Sequence, residues 1–523
     1  MDPYLVHHLL ERAAAARPDA PFLVEADGTS SYGTIARAAH AVAAALHRGG
    51  VRRGDRVALL ARNSRAYVSA YYGALRAGAA VVPLNTAAAE EDLVRVLADC
   101  SPRAVVAGPG FGSRLGRALG RLARRERPRL ALVEEAEEAE LPAGIAPLPL
   151  REVMEAREGP PDVPVIDLDL ASIVYTSGST GTPRGAMLRH LNLMSNTRSI
   201  VAYLGLRADD RVLAVLPFHY VYGKTLLNTH AAVGATVVIE NRFMFPVTAL
   251  ETLERERCTG FAGVPSTFAV LLRRTDLARR ELPHLRYVTQ AGGPMSAALT
   301  RRLIEALPGK KIFVMYGATE ASARLSYLDP AELPRKIGSV GKAIPNVELE
   351  VVREDGSAAA PGEIGEIVAR GSNIFAGYWN DPEETARVFD ARGRYRTGDL
   401  GYFDEEGFLY VTGRLRDMIK SGAHRISARE IEEAILEDES VVEAAVIGVP
   451  DEVLGEAIRA FVVFEDGAGP GAAAALRKRL AGRLPPYKLP AAIVACRELP
   501  KNEAGKIMKQ RLRETAGGAS PES

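Results

Sequence analysis

Short apolar runs recur along most of this chain, each followed by a longer segment with helical spacing. Arg56-Val-Ala-Leu-Leu60 precedes a helical segment from Tyr67 to Ala77 closed by Gly78, and Ala79-Ala-Val-Val-Pro83 precedes another from Glu90 to Asp99. Upstream, Leu5 to Ala16 and the Ala-rich Thr34 to His47 read as helices, ended by Arg17-Pro18 and Gly49-Gly50. Arg211 to Leu216, Ala235 to Glu240, Leu285 to Thr289 and Lys311 to Met315 are further strand candidates. Strands that alternate with helices form a mostly parallel sheet covered on both faces. From Val347 to Val368 the pattern turns β, with a hairpin at Asp355-Gly356, and a second β block runs from Leu400 to Val411. Beyond Arg414 comes a serine cap at Ser427 with an amphipathic helix behind it. Short strands follow at Val441 to Val446 and Ala460 to Phe464, then a helix from Ala472 to Leu484. At 523 residues one core is not enough. The expected fold class is α/β, a large domain over residues 1–414 and a small α+β domain over residues 415–523.

Charge excludes whole classes of partner. Sixty-six basic and 65 acidic side chains leave a net charge of +1, so no global field recruits nucleic acid or an anionic membrane. The charged stretch from Arg114 to Glu140 reads as surface helix and loop with solvated faces. Cys100, Cys258 and Cys496 have neither metal nor disulfide spacing and are expected to be small core residues. No apolar run is long enough to span a bilayer and the N-terminus has no secretory pattern, so a cytoplasmic protein is expected. The tail after Thr515 is expected to be disordered.

Ligand chemistry concentrates in Tyr175-Thr-Ser-Gly-Ser-Thr-Gly-Thr-Pro-Arg-Gly185. Glycines let backbone N–H groups turn toward an anion, hydroxyls add donors, and Arg184 adds a forked cation. The spacing is not that of the common P-loop. A flexible linker has a similar composition; the apolar strand Ala171 to Val174 before it and a helix from Leu191 after it favour a polyphosphate loop. Two more glycine-bearing turns, Gln290-Ala-Gly-Gly-Pro294 and Tyr316-Gly-Ala-Thr-Glu320, follow candidate strands directly, where open α/β sheets collect ligands.

The stretches Tyr175 to Gly185 and Tyr316 to Glu320, with Tyr395-Arg-Thr-Gly-Asp-Leu400, Gly413-Arg-Leu-Arg-Asp-Met-Ile-Lys420 and Leu499-Pro-Lys-Asn-Glu-Ala-Gly-Lys-Ile507, occur in one order across most of the chain. In that order they resemble the adenylate-forming superfamily of acyl-CoA synthetases, peptide-synthetase adenylation domains and luciferases, and the AMP-forming acyl-CoA ligases in particular. The resemblance implies a large domain of α/β sheets with a β-barrel-like part, and a small C-terminal domain that is mobile. The implied reaction is carboxylate plus ATP giving acyl-adenylate and pyrophosphate, then acyl transfer to a thiol. Two anions must meet, so cations and Mg²⁺ are needed to lower their repulsion.

Carried over residue by residue, Thr176, Ser177, Gly178, Ser179, Thr180, Gly181 and Arg184 cradle the phosphates. Arg184 stands where the superfamily usually has lysine. Thr319 touches the α-phosphate and Glu320 holds Mg²⁺; taken singly, Glu320 is also an ordinary first-turn helix acid. Tyr316 stacks on adenine, Gly317, Gly292 and Gly293 admit close backbone approach, and Asp399 and Arg414 reach the ribose. Alone, each of these would equally be core packing, a turn residue or a surface cation. Lys506 is the implied adenylation lysine, and Arg416 the hinge about which the small domain swings.

In this resemblance, amino-acid-activating members carry an acid in the region of Phe218-His-Tyr-Val-Tyr222, where this chain has none. An unpaired ammonium would be costly to bury there, which favours a small carboxylic acid without an α-amino group. His219, Tyr220, Tyr222 and Val264 are the implied acyl-pocket residues, with a satisfied core histidine an equal reading of His219. The loop at Gly422 admits a thiol. Coenzyme A is the leading acceptor; a carrier-protein thiol or a free amine, as in amide synthetases, would leave similar motifs, and an adenylate-binding protein without turnover is a remote alternative.

Overall fold

The computed structural model describes residues 3–134, 139–177, 183–422, 424–465, 468–469, 471–501, 505 and 507–517. Two sheets dominate the first part of the chain. The seven-stranded sheet runs, in spatial order, Ala146–Pro149, Leu130–Val133, Ala104–Ala107, Arg56–Leu60, Ala80–Pro83, Leu170–Ser177 and Pro183–Arg189. The nine-stranded sheet runs Lys342–Ala343, Ser326–Leu328, Lys311–Tyr316, Tyr287–Gln290, Gly260–Gly263, Arg211–Ala214, Thr236–Ile239, Pro21–Glu25 and Gly28–Ser31. Along Arg56–Leu60, Val57 and Leu59 enter the core shared by the two sheets, while Ala58 and Leu60 enter a separate outer core. Both faces are dry, which is why the run is apolar throughout. Helices Val6–Ala16, Tyr32–Arg48, Arg65–Arg76, His190–Leu204 and Val221–Val233 contribute to the shared core, with Tyr32, Tyr67, Tyr71 and Tyr72 buried in it.

Downstream, Val347–Val352, Gly365–Gly371, Tyr395–Phe403 and Leu409–Arg414 form a four-stranded antiparallel sheet, tied to the large sheet by the Gly341–Leu409 bridge. A five-stranded sheet begins at Met418 and carries its own core of Ile419, Ile431, Ile435, Val446 and Leu476. No helix among the described residues is long and apolar enough to cross a membrane.

Several expectations change. The phosphate-loop candidate is followed by a strand, Pro183–Arg189, that pairs antiparallel with Leu170–Ser177, setting Thr176 opposite Arg184. Tyr175 to Ser177 and Pro183 to Gly185 therefore lie on two paired strands, and the helix expected from Leu191 follows them, beginning at His190. Leu130–Val133, inside the segment assigned to surface helix and loop, is a fully buried parallel strand; its four residues are too few for periodicity to register amid the flanking charges. Gly260–Gly263 and Ala104–Ala107 are equally short. Ser427 starts the helix Ala428–Leu436 but does not cap it; its hydroxyl donates to the Thr412 carbonyl at 2.7 Å. Cys100 and Cys258 are buried, whereas Cys496 is only half-buried, in the last strand of the small sheet. The helix Lys509–Gly517 takes in Ala516 and Gly517 of the tail expected to be disordered, and the rest of that tail lies outside the described residues.

Candidate active site

Strands Tyr287–Gln290 and Lys311–Tyr316 are parallel neighbours, so their carboxyl ends deliver Gly292, Gly293 and the turn from Gly317 to Glu320 to one edge. A Cβ on Gly317 would lie 2.0 Å from the Ala323 carbonyl oxygen, so the turn closes this tightly only on glycine. Gln290 donates to the Gly293 carbonyl at 2.9 Å and fixes the neighbouring turn.

A short segment joins this edge to the hairpin of the other sheet. Phe375 N–H donates to the Glu320 carbonyl at 2.8 Å, Ala376 N–H to Met187, and Trp379 N–H to Gly185. The Tyr378 hydroxyl then donates to Glu320 Oε1 at 2.8 Å, and Arg184 lies 5.9 Å from the Tyr378 ring centre. Burial, then the Glu320 charge, raises the Tyr378 phenol far above its ordinary pKa, so it stays a donor. Glu320 itself has no ion-pair partner among the described residues, and its second oxygen remains open to a hard cation.

Arg184 is not a free cation. Its Nη1 donates to Glu384 Oε1 at 2.7 Å, and Asp381 lies 3.6 Å from Nε. The acids stand on Pro382–Val388 and at its cap. Sequence reasoning passed over Tyr378, Asp381 and Glu384, although Gly377-Tyr-Trp-Asn-Asp-Pro-Glu-Glu-Thr385 shows a helix start with paired acids.

A second corner is formed by Tyr316, Asp399 and Arg414. Asp399 faces Arg414 across an antiparallel register. Its Oδ1 forms an ion pair with Arg414 Nε and its Oδ2 accepts from the Tyr316 hydroxyl, each at 2.7 Å. Thr397 Oγ1 accepts from Asp399 N–H and donates to the Ile367 carbonyl, fixing the carboxylate from behind. Asp399 is only 3% exposed. Its charge raises the Arg414 pKa, and burial followed by Asp399 raises that of Tyr316. Each carboxylate oxygen keeps one lone pair for a further donor.

Around the predicted acyl pocket, the Tyr222 hydroxyl bonds Thr289 through its carbonyl at 2.9 Å and its Oγ1 at 2.8 Å. Val264 touches the Gly292 turn: a Cβ there would lie 3.1 Å from Val264 Cγ1. His219 is buried with Tyr220 4.4 Å away, and burial plus the Lys224 cation pushes its pKa down to about 3, so the imidazole is neutral.

Lys224, buried beside Ser172 and the Tyr71 ring, has its pKa pulled from 10.5 down to about 7 by burial. The unfolded chain therefore binds this proton more strongly between about pH 7 and pH 10.5, and stability rises with pH across that window. Lys224→Met is expected to stabilise the fold by roughly 3–5 kcal/mol at pH 6 and by far less near pH 10; denaturant melts at the two pH values measure this.

Gly505 packs on the same wall as Gly292. Ser266 Oγ donates to its carbonyl at 3.1 Å, and a Cβ there would lie 2.4 Å from Ser266 Oγ and 3.1 Å from Val264 Cγ2. The residue after it, Lys506, lies outside the described residues, as do Gly178, Ser179, Thr180 and Gly181 and the side chain of Ser177. Gly422 lies elsewhere, its N–H donating to the Leu454 carbonyl at 2.8 Å. Arg416 is exposed on the turn Leu415–Asp417 between the two smaller sheets.

Residues 10–379 match the AMP-binding enzyme family, and residues 430–506 match the AMP-binding enzyme C-terminal domain. Feruloyl-CoA synthase from Amycolatopsis sp is 35% identical over 512 residues, spanning 97% of this chain and 98% of that protein. The ATP-bound crystal structure of MatB from Rhodopseudomonas palustris is similar at a TM-score of 0.87 and 31% identity, covering 98% of this chain and 99% of that one. MenE from Bacillus subtilis, solved with ATP and magnesium ion, matches at a TM-score of 0.82 and 28% identity over 96% of this chain and 98% of its own. With both family matches in chain order and relatives aligned end to end, the protein belongs to the AMP-binding, adenylate-forming enzyme family.

Proposed function

We propose that this enzyme condenses a carboxylic acid lacking an α-amino group with ATP and passes the acyl group to the thiol of coenzyme A. One carboxylate oxygen attacks the α-phosphorus, the bond to the pyrophosphate oxygen breaks, and the acyl-adenylate stays bound. Thiol attack on the acyl carbonyl then expels AMP and releases the thiol proton to solvent. The observation that supports this reading is the seating of Gly505, the residue before Lys506, against Val264 and Ser266, beside the Gly292 turn.

In this reading residues 1–414 hold ATP and acid, and residues 415–523 supply Lys506 and then admit the thiol past Gly422 after rotation about Arg416. Tyr316, Asp399 and Arg414 hold the nucleoside. Thr176, Ser177, Ser179 and Thr180 hold phosphate oxygens, helped by backbone at Gly178 and Gly181. Thr319 meets the α-phosphate, and Gly292, Gly293 and Gly317 give it close backbone walls. Arg184 reaches the triphosphate only by sharing its fork with Glu384, so its first duty is to position the hairpin. Glu320, with one oxygen fixed by Tyr378, has the donor set for Mg²⁺, which when bound neutralises phosphate charge. The neutral His219 serves as a pocket wall with Tyr220, Tyr222 and Val264, not as a base.

A panel of carboxylic acids in ATP–pyrophosphate exchange, repeated with coenzyme A and product masses recorded, tests the proposal. Acid- and Mg²⁺-dependent exchange with an acyl-CoA mass is expected. Exchange that ignores the acid would overturn it.

A further inference from the structure

Four lysine or arginine side chains are buried among the described residues: Lys224, Arg324, Lys336 and Arg394. Lys336 is paired with Asp404 and Glu406, and Arg394 with Asp390 and Glu350. Lys224 and Arg324 have no carboxylate partner among the described residues; their contacts are two hydroxyls, a thioether, a carbonyl and two aromatic rings. A buried cation without an anion is costly, so its retention calls for a compensating role.

Arg324 follows Glu320 by four residues, and its guanidinium carbon lies 4.3 Å from the Tyr222 ring centre. Nε donates to Met315 Sδ and Nη1 to the Ala323 carbonyl, each at 3.1 Å. A thioether is a weak acceptor, so the fork meets two neutral oxygens, the Ala323 carbonyl and the Tyr203 hydroxyl, and no anion among the described residues. The cavity it faces is lined also by Tyr222, Thr225, Thr229, Thr289 and Met315. The neighbouring cavity is lined by Lys224, Asn228 and Ser322, and Thr225 belongs to both. Lys224 and Arg324 therefore flank one threonine, and the Arg324 cavity is itself lined by Tyr222 of the proposed acid site and its partner Thr289.

Resting on the ligase reading above, we infer that the acid activated by this enzyme carries a second carboxylate at its far end, and that Arg324 receives it. A carboxylate matches the guanidinium fork, and the Tyr222 ring holds the guanidinium plane in place. Lys224, when protonated, adds positive potential from the adjoining cavity. Selectivity comes from both sides of the comparison: the dianionic acid gains a charge-assisted pair, and a neutral-tailed acid leaves the cation unpaired.

The test compares dicarboxylic acids with their monomethyl esters on identical carbon frames, aryl and aliphatic, in ATP–pyrophosphate exchange. The wild-type enzyme is expected to favour the best free diacid over its monoester by at least about 10²-fold in kcat/KM. Arg324→Met is expected to abolish or invert that preference with the KM for ATP unchanged. A wild-type enzyme that turns over the monoester as well as the diacid overturns the inference, as does an Arg324→Met enzyme that loses both substrates equally with the preference intact. If Arg324→Met does not fold, the wild-type preference alone decides. Exchange with neutral-tailed acids only would overturn this inference and leave the ligase reading standing. Absence of exchange with every acid would overturn both.

Discussion

Lys506→Ala is expected to lower acid-dependent ATP–pyrophosphate exchange by about 10²–10³-fold, the usual cost of deleting a cationic donor from a charge-developing transition state. Transfer to coenzyme A from a supplied acyl-adenylate should remain within about threefold of wild type, because that half-reaction has no attack on phosphorus to stabilise. The separation follows from geometry. The lysine is the next residue after Gly505, whose carbonyl is held by Ser266 and where a Cβ would lie only 2.4 Å from Ser266 Oγ. Delivery to the site thus depends on how the C-terminal turn seats. Measuring the two half-reactions separately decides the matter, and equal loss in both would remove Lys506 from the adenylation step.

Asp399→Ala should raise the KM for ATP by about 10²-fold and lower stability by about 1–3 kcal/mol, the cost of leaving donors without their acceptor. The carboxylate is buried and engages the Tyr316 hydroxyl and the Arg414 guanidinium through different oxygens. Its removal strips both of their partner and deletes the acceptor proposed for the ribose. Asp399→Asn keeps the shape and loses the charge, so it should fall between wild type and alanine in both quantities. Isothermal titration with ATP and denaturant melts measure the two effects. An unaltered ATP affinity in the alanine variant would detach this corner from the nucleoside.

The parallel strands were legible because burial on both faces writes an unbroken apolar run, as in Val57 to Leu60. Four-residue strands such as Gly260–Gly263 carry too few side chains to leave a pattern, and their identity comes from neighbours distant in sequence. The convergence of Tyr316 with Asp399 and Arg414 could be anticipated from ordered motifs. The capture of Arg184 by Glu384 could not, because the two are 200 residues apart and nothing local advertises the pairing. Ser427 shows the same limit: a sound capping signal was overridden by a carbonyl on another strand. Arg324 escaped notice for the opposite reason. A lone arginine ordinarily reads as surface, and only three-dimensional packing reveals that water cannot reach it.

The Phe375–Trp379 segment has a mechanical consequence. Because it is laced by main-chain bonds to Gly185 and Met187 on one side and to Glu320 on the other, it behaves as a tie-rod between two neighbouring walls. A shift of the glycine-rich tip on meeting its ligand would pull on the acidic turn through peptide groups alone, so the two edges of the cleft would tighten together.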